Sequence, residues 1–152
     1  MNKKFKLIIY LTLSILLIVG SLFYYSLNKP ERVIRNYISC LDGHNYEDVG
    51  KYRTSRYIGV NKDSMDYIEN IELTNITLIT DDASIDDAYI HRIKSQQEHQ
   101  NLSKNDFKIY KVTYNLKVKD NVISPIDSGE FVKSYILVKE NDKWKIDSIE
   151  EY

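Results

Sequence analysis

The sequence predicts an α+β domain behind an N-terminal transmembrane helix: helices come first, and a curved antiparallel sheet of about four strands follows. Three observations predict it. Residues 7–27 carry no charge, apolar residues between 30 and 70 recur at helical spacing, and after residue 70 β-branched and aromatic residues alternate with polar ones. No strand–helix–strand repeat of the kind that builds parallel sheets is present.

At 1.5 Å per residue, the 21 uncharged residues of 7–27 cover the roughly 30 Å hydrocarbon core of a bilayer, so they read as a single transmembrane anchor. Lys3, Lys4 and Lys6 mark residues 1–6 as a cytoplasmic tail, and the positive-inside bias then places residues 28–152 outside the cytoplasm. Lys29, Arg32 and Arg35 on the other flank reduce that asymmetry. Phe23, Tyr24 and Tyr25 stand where aromatic rings favour the headgroup layer. A cleaved signal ending at Val19-Gly20-Ser21 is the rival reading, but the apolar run outlasts a signal core. Cys40 lies too far downstream to be a lipidated cysteine. As a single thiol it forms no internal disulfide and reads as an inert, buried group.

The chain has 152 residues, with 21 Lys and Arg against 22 Asp and Glu. The N-terminal 27 residues hold three Lys and no acid, so the remaining 125 carry 18 basic and 22 acidic side chains, a net of −4. A net-acidic exported domain argues against nucleic acid as a partner. Twenty Ile, sixteen Lys and twelve Asn against two Ala resemble the codon drift of an AT-rich genome, as in low-GC Gram-positive bacteria.

Asn28-Lys29-Pro30-Glu31 predicts a helix start with Asn28 as cap, and Val33, Ile34, Tyr37, Ile38 and Leu41 make one apolar face that stops at Asp42-Gly43. Asn45 predicts a second, short helix with Tyr46, Val49 and Tyr52 on one side, and Asp63 with Asp66 a third that turns Met65 and Ile68 inward. Residues 71–80 read as a strand apolar on both faces, and 81–104 as a long polar connection. From 107 to 119 Tyr110, Val112, Tyr114, Leu116 and Val118 share one face. Phe107 and Ile109 fall in the opposite phase, which predicts a bulge near Ile109. A turn with Pro125 and Gly129 leads to a central strand over 131–139, and Asn141-Asp142 to a last strand with Trp144 and Ile146.

The stretches from Pro30 to Ile38, Asn45 to Val49 and Asp142 to Ile146 resemble the start and end of exported nuclear-transport-factor-2-like domains of Gram-positive bacteria. That resemblance covers about residues 29–152 and implies a cone: a curved antiparallel sheet wrapped on N-terminal helices, with a pocket at its open end.

Chemistry-bearing groups are sparse. His91 and His99 lack a third ligand, and His44 reads as a helix-end group. Asp81, Asp82, Asp86 and Asp87 lack the spacing of a calcium loop. No nucleophile elbow, phosphate loop or zinc-binding His pair is present, so no catalytic, cofactor or metal residue is assigned and no enzyme is expected. Tyr110, Tyr114 and Tyr135 fall where aromatics line a curved sheet or its pocket, and Lys111, Lys117 and Lys119 form a basic stripe that reads as a solvated face. The expected function is a non-catalytic, membrane-anchored binding or accessory domain of a cell-envelope complex, with a protein partner or a small ligand in the cone pocket. Bitopic components of conjugation systems are similar in layout. A cone-pocket enzyme and an immunity or stress-related surface protein are the alternatives.

Overall fold

The computed structural model describes residues 9–20, 29–55, 57, 65–79, 103–120 and 122–152. Residues 9–20 form helix α1, and α2 (Pro30–Asp42) and the single-turn α3 (Tyr46–Val49) follow. A 3-10 turn, Gly50–Tyr52, closes the helical part. The sheet consists of β1 (Ile68–Leu78), β2 (Phe107–Val118), β3 (Gly129–Glu140) and β4 (Lys143–Glu151), in the order β1-β2-β3-β4 and antiparallel throughout. The α+β class and the four strands agree with the sequence. Of the expected anchor, residues 7–8 and 21–27 lie outside the described residues, and no helix among the described residues is long and apolar enough to cross a membrane.

α2 forms as its pattern dictates. Pro30 occupies the first turn, where a missing N–H breaks no helical bond, and Ile34, Tyr37, Ile38 and Leu41 are buried on one face. Lys29, not Asn28, holds the capping position, and Asn28 lies outside the described residues. At the far end the Asp42 carboxylate accepts hydrogen bonds from the Ile71 backbone N–H (2.8 Å) and from Asn70 Nδ2 (2.9 Å), which ties the helix to β1.

β1 corrects the sequence expectation twice. Residues 65–67 form a turn and Ile68 opens the strand, so no third helix carries Ile68 inward; Asp63 and Thr80 lie outside the described residues. The strand is also not apolar on both faces. Ile68, Ile71, Leu73, Ile76 and Leu78 are spaced by three, two, three and two residues, yet all join the same core. Register shifts at Ile68/Asn70 and at Leu73/Asn75 insert one extra residue in each three-residue step, which returns the next apolar side chain to the inner face.

β2 needs no such device. Its pairing with β3 runs unbroken from Phe107↔Val138 to Leu116↔Gly129, so the bulge expected near Ile109 is absent. Phe107 and Ile109 instead pack with Ile136 and Val138 in a second small cluster on the outer face. This is why the middle of β3 is buried on both sides. Asn141 and Asp142 both have positive φ, 51° and 60°, as a two-residue type I′ hairpin requires.

α2 lies on the inner face and comes closest to the two edge strands, β1 and β4. Three inter-strand gaps of about 4.8 Å would set those edges roughly 14 Å apart in a flat sheet, whereas a helix is about 10 Å across. One helix can approach both edges because the sheet curves around it.

The Asp42 contact gives a direct test. Asp42→Ala leaves the Ile71 N–H without its acceptor and is expected to lower stability by about 1–3 kcal/mol in chemical denaturation of the full chain. Asp42→Asn keeps an acceptor oxygen and is expected to lose less.

Candidate binding cavity

Between α2 and the inner face of the sheet lies a cavity of about 160 Å³. Every layer of the domain contributes to it: Tyr37, Ile38 and Leu41 from α2, Met65 and Tyr67 from the turn before β1, and Ile68 and Ile71 from β1. Tyr114 and Leu116 come from β2, Ile126 from the β2–β3 connection, Tyr135 from β3 and Ile149 from β4. The walls are apolar apart from four phenol hydroxyls.

The aromatic groups are set by packing. Tyr37 and Tyr135 meet edge to face with centroids 6.2 Å apart, and Tyr114 stacks on Phe131 at 5.7 Å. Behind Tyr37 stands Arg53, whose guanidinium lies 4.3 Å from the Tyr57 ring and 5.9 Å from the Tyr37 ring. Arg53 is placed by a parallel bridge to Ile146, and Thr54 N–H donates to the Ile146 carbonyl at 3.1 Å. Its terminal nitrogen reaches the Asp147 carbonyl at 3.4 Å, and its buried Nε–H has no partner among the described residues. Asp147, the extra residue where the β3–β4 register shifts, is itself buried and holds the Thr54 hydroxyl at 3.4 Å.

Burial raises the pKa of all four cavity tyrosines. For Tyr37 the nearby Arg53 offsets part of that rise, and Tyr114 is pushed up to about 12. These phenols therefore stay neutral and keep their donor hydrogens at physiological pH. No carboxylate, imidazole, amine or thiol lines the cavity among the described residues, so it presents hydrogen-bond donors without a proton acceptor poised near neutrality.

Of the tyrosines singled out by sequence, Tyr114 and Tyr135 line the cavity and Tyr110 does not. The Tyr110 hydroxyl donates to Glu31 Oε1 at 2.9 Å, across the helix–sheet interface. Each lysine of the basic stripe has a partner: Lys117 pairs with Glu69 (2.6 Å), Lys119 with Asp66 (3.0 Å), and Lys111 lies 4.1 Å from the Tyr152 ring. His44 takes a positive φ of 53° after the α2 end, and its Nδ1 lies 2.9 Å from the Tyr46 hydroxyl. Because that hydroxyl donates to the Met65 carbonyl, His44 Nδ1 is the donor in their bond. Cys40 is half-buried, and its thiol is pushed up by burial first and then by Asp48, which fits an inert group. His91, His99 and the four aspartates between 81 and 87 lie outside the described residues, and among the described ones no group of three metal-ligating side chains occurs. Arg53, Tyr37 and Tyr67 were not singled out by sequence as site residues. Tyr37 carried the nearest signal, a phenol in the centre of an otherwise aliphatic helix face.

The family described as "Domain of unknown function (DUF4829)" matches residues 31–149. The chain belongs to this family. A search of curated proteins found no match. The DUF4829 match begins one residue into α2 and ends inside β4, so it contains Arg53 and every residue that lines the cavity, while α1 falls before it.

The buried phenols predict the alkaline limit of this DUF4829 fold. A folded-state pKa raised above the ordinary value of 10.0 gives stability that is complete below pH 10 and is lost as the pH rises toward the folded value, about 12 for Tyr114. In a phenolate absorbance titration, solvent-exposed phenols are expected to ionise first. The cavity tyrosines should follow in a steep step that coincides with loss of near-ultraviolet dichroism. Smooth ionisation of all tyrosines in the folded state would contradict the packing described.

Proposed function

We propose that this chain is a single-pass, membrane-anchored, non-catalytic binding domain that acts outside the cytoplasm as an accessory part of a cell-envelope complex. Conjugation machinery is the instance whose layout it matches. The observation that carries the reading is the cavity under α2, which is apolar, rimmed by neutral phenols and free of an acid–base group among the described residues. The helix-first order, the meander of four strands and the sheet curved on α2 support a nuclear-transport-factor-2-like cone.

Two features of α1 support the anchor. Nine of its twelve residues are large apolar side chains left exposed, from Ile9 to Val19, and a helix apolar all round needs lipid or protein to cover it. Its two aliphatic hydroxyls bond back to the helix: Thr12 Oγ1 donates to the Ile9 carbonyl (2.9 Å) and Ser14 Oγ to the Tyr10 carbonyl (2.8 Å). That is how polar groups are satisfied where water is absent.

Two experiments test the proposal. A reporter fused after Tyr152 is expected to work only outside the cytoplasm, and activity restricted to the cytoplasm would overturn the topology. For the cavity, benzene added to the full chain in lipid nanodiscs is expected to shift the ring NMR signals of Tyr37, Tyr114 and Tyr135. Leu116→Trp, which fills the space, should abolish those shifts. A wild-type protein that shows no shift at saturating benzene would rule out the binding cavity.

A further inference from the structure

We propose that the cavity takes a small monocarboxylate whose apolar body is about the size of one aromatic ring, with the carboxylate received by the Tyr37, Tyr114 and Tyr135 hydroxyls and balanced by Arg53. The inference rests on the binding reading above and adds the chemical class of the ligand.

Size sets the body. A cavity of about 160 Å³ is close to the roughly 150 Å³ that accommodates a benzene ring in a protein core, and Ile38, Leu41, Ile68, Ile71 and Leu116 form an aliphatic wall around that space. A wholly apolar guest would leave the other end unsatisfied. Neither the Tyr114 nor the Tyr135 hydroxyl has a hydrogen-bond partner among the described residues, and covering a phenol without giving it an acceptor is costly. Three neutral phenols supply donors, so the guest must supply acceptors. A carboxylate offers two oxygens with about four acceptor positions and suits such a set.

Arg53 fixes the sign of the charge. Its guanidinium packs beside Tyr37, which lines the cavity, and no carboxylate stands within ion-pair distance of it among the described residues. Asp147 offers Arg53 its backbone carbonyl, while its carboxylate accepts from the Thr54 hydroxyl. The Nε–H of Arg53 is likewise buried without a partner among the described residues. Arg53 does not itself line the cavity, so its guanidinium supplies positive charge from beside Tyr37 and not a direct bond to the guest. One cation compensates one negative charge. A phosphate dianion would bring a second charge into the same apolar space with nothing to balance it.

The test uses the full chain in nanodiscs, with benzoate and benzyl alcohol as probes of equal ring size, free probe fixed by dialysis, and the cavity tyrosine signals as readout. Benzoate is expected to bind the wild type about tenfold or more tightly than benzyl alcohol. Arg53→Met should remove that advantage and leave benzyl alcohol binding within about twofold. Tyr37→Phe should remove part of it, and it decides the matter with the wild-type ratio if Arg53→Met does not fold. Equal binding of the two probes to the wild type, or parallel loss of both in a folded Arg53→Met protein, overturns the carboxylate assignment and leaves the cavity reading intact. Failure of both probes to shift any cavity tyrosine overturns the cavity reading itself.

Discussion

The distance between α2 and the middle of the sheet is the constraint on which the rest of the structure depends. Because the sheet curves so that β1 and β4 both approach the helix, β2 and β3 are the strands furthest from it. Val112 and Leu137 fill part of that gap from the sheet side and Ile34 from the helix. Long aromatic side chains cross it, with Tyr110 reaching Glu31 and Tyr135 meeting the Tyr37 ring. Each phenol that bridges the gap brings a hydroxyl into the interior, and each hydroxyl then needs a partner or a space. Tyr110 and Tyr46 find partners, whereas Tyr114 and Tyr135 border a space. The cavity thus follows from curvature plus the choice of tyrosine as filler.

Curvature itself is written into the strands as bulges. β1 has two and β4 has one, at Asp147, while the β2–β3 pair has none. An extra residue in one strand of a pair bends and twists that strand, so bulges confined to the edge strands fold the margins of the sheet toward the helix. The bulge at Asp147 has a second effect. It turns a carboxylate inward beside Thr54, at the point where the chain leaving the helices forms its bridge to β4. Sheet closure and placement of Arg53 therefore share one local irregularity.

These features also mark the limit of what the sequence discloses. The helical periodicity of α2, the I′ hairpin at Asn141-Asp142 and the strand-rich second half are local patterns with local causes, and all three were legible. β1 was not, because apolar spacings of three and two look two-faced unless the positions of its bulges are known. β2 failed in the opposite sense: the phase change at Ile109 looks like a bulge, yet it reflects a second hydrophobic cluster whose other half, Ile136 and Val138, lies on a different strand. Arg53 was the least legible of all. In sequence it is one charge in a polar stretch between helix and strand, and only the bridge to Ile146 sets it against the rings of Tyr37 and Tyr57.

Position along α2 links the cavity to the proposed anchor. The chain enters the domain at Pro30, and seven residues of helix, about 10 Å of rise, separate that point from Tyr37, the first cavity residue on the helix. Tyr110, bonded to Glu31 in the first turn of α2, is near that entry and is sealed. The other end of the helix, tied to Ile71 through Asp42, is where Leu41, Leu116 and Ile126 enclose the cavity. Ile126 sits on the connection that also exposes Val122 and Ile123 to solvent. The cavity therefore lies along the second half of α2, away from the point where the chain enters. On the proposed topology, a ligand for this cavity is met outside the cytoplasm, where a small water-soluble acid suits the chemistry of the site.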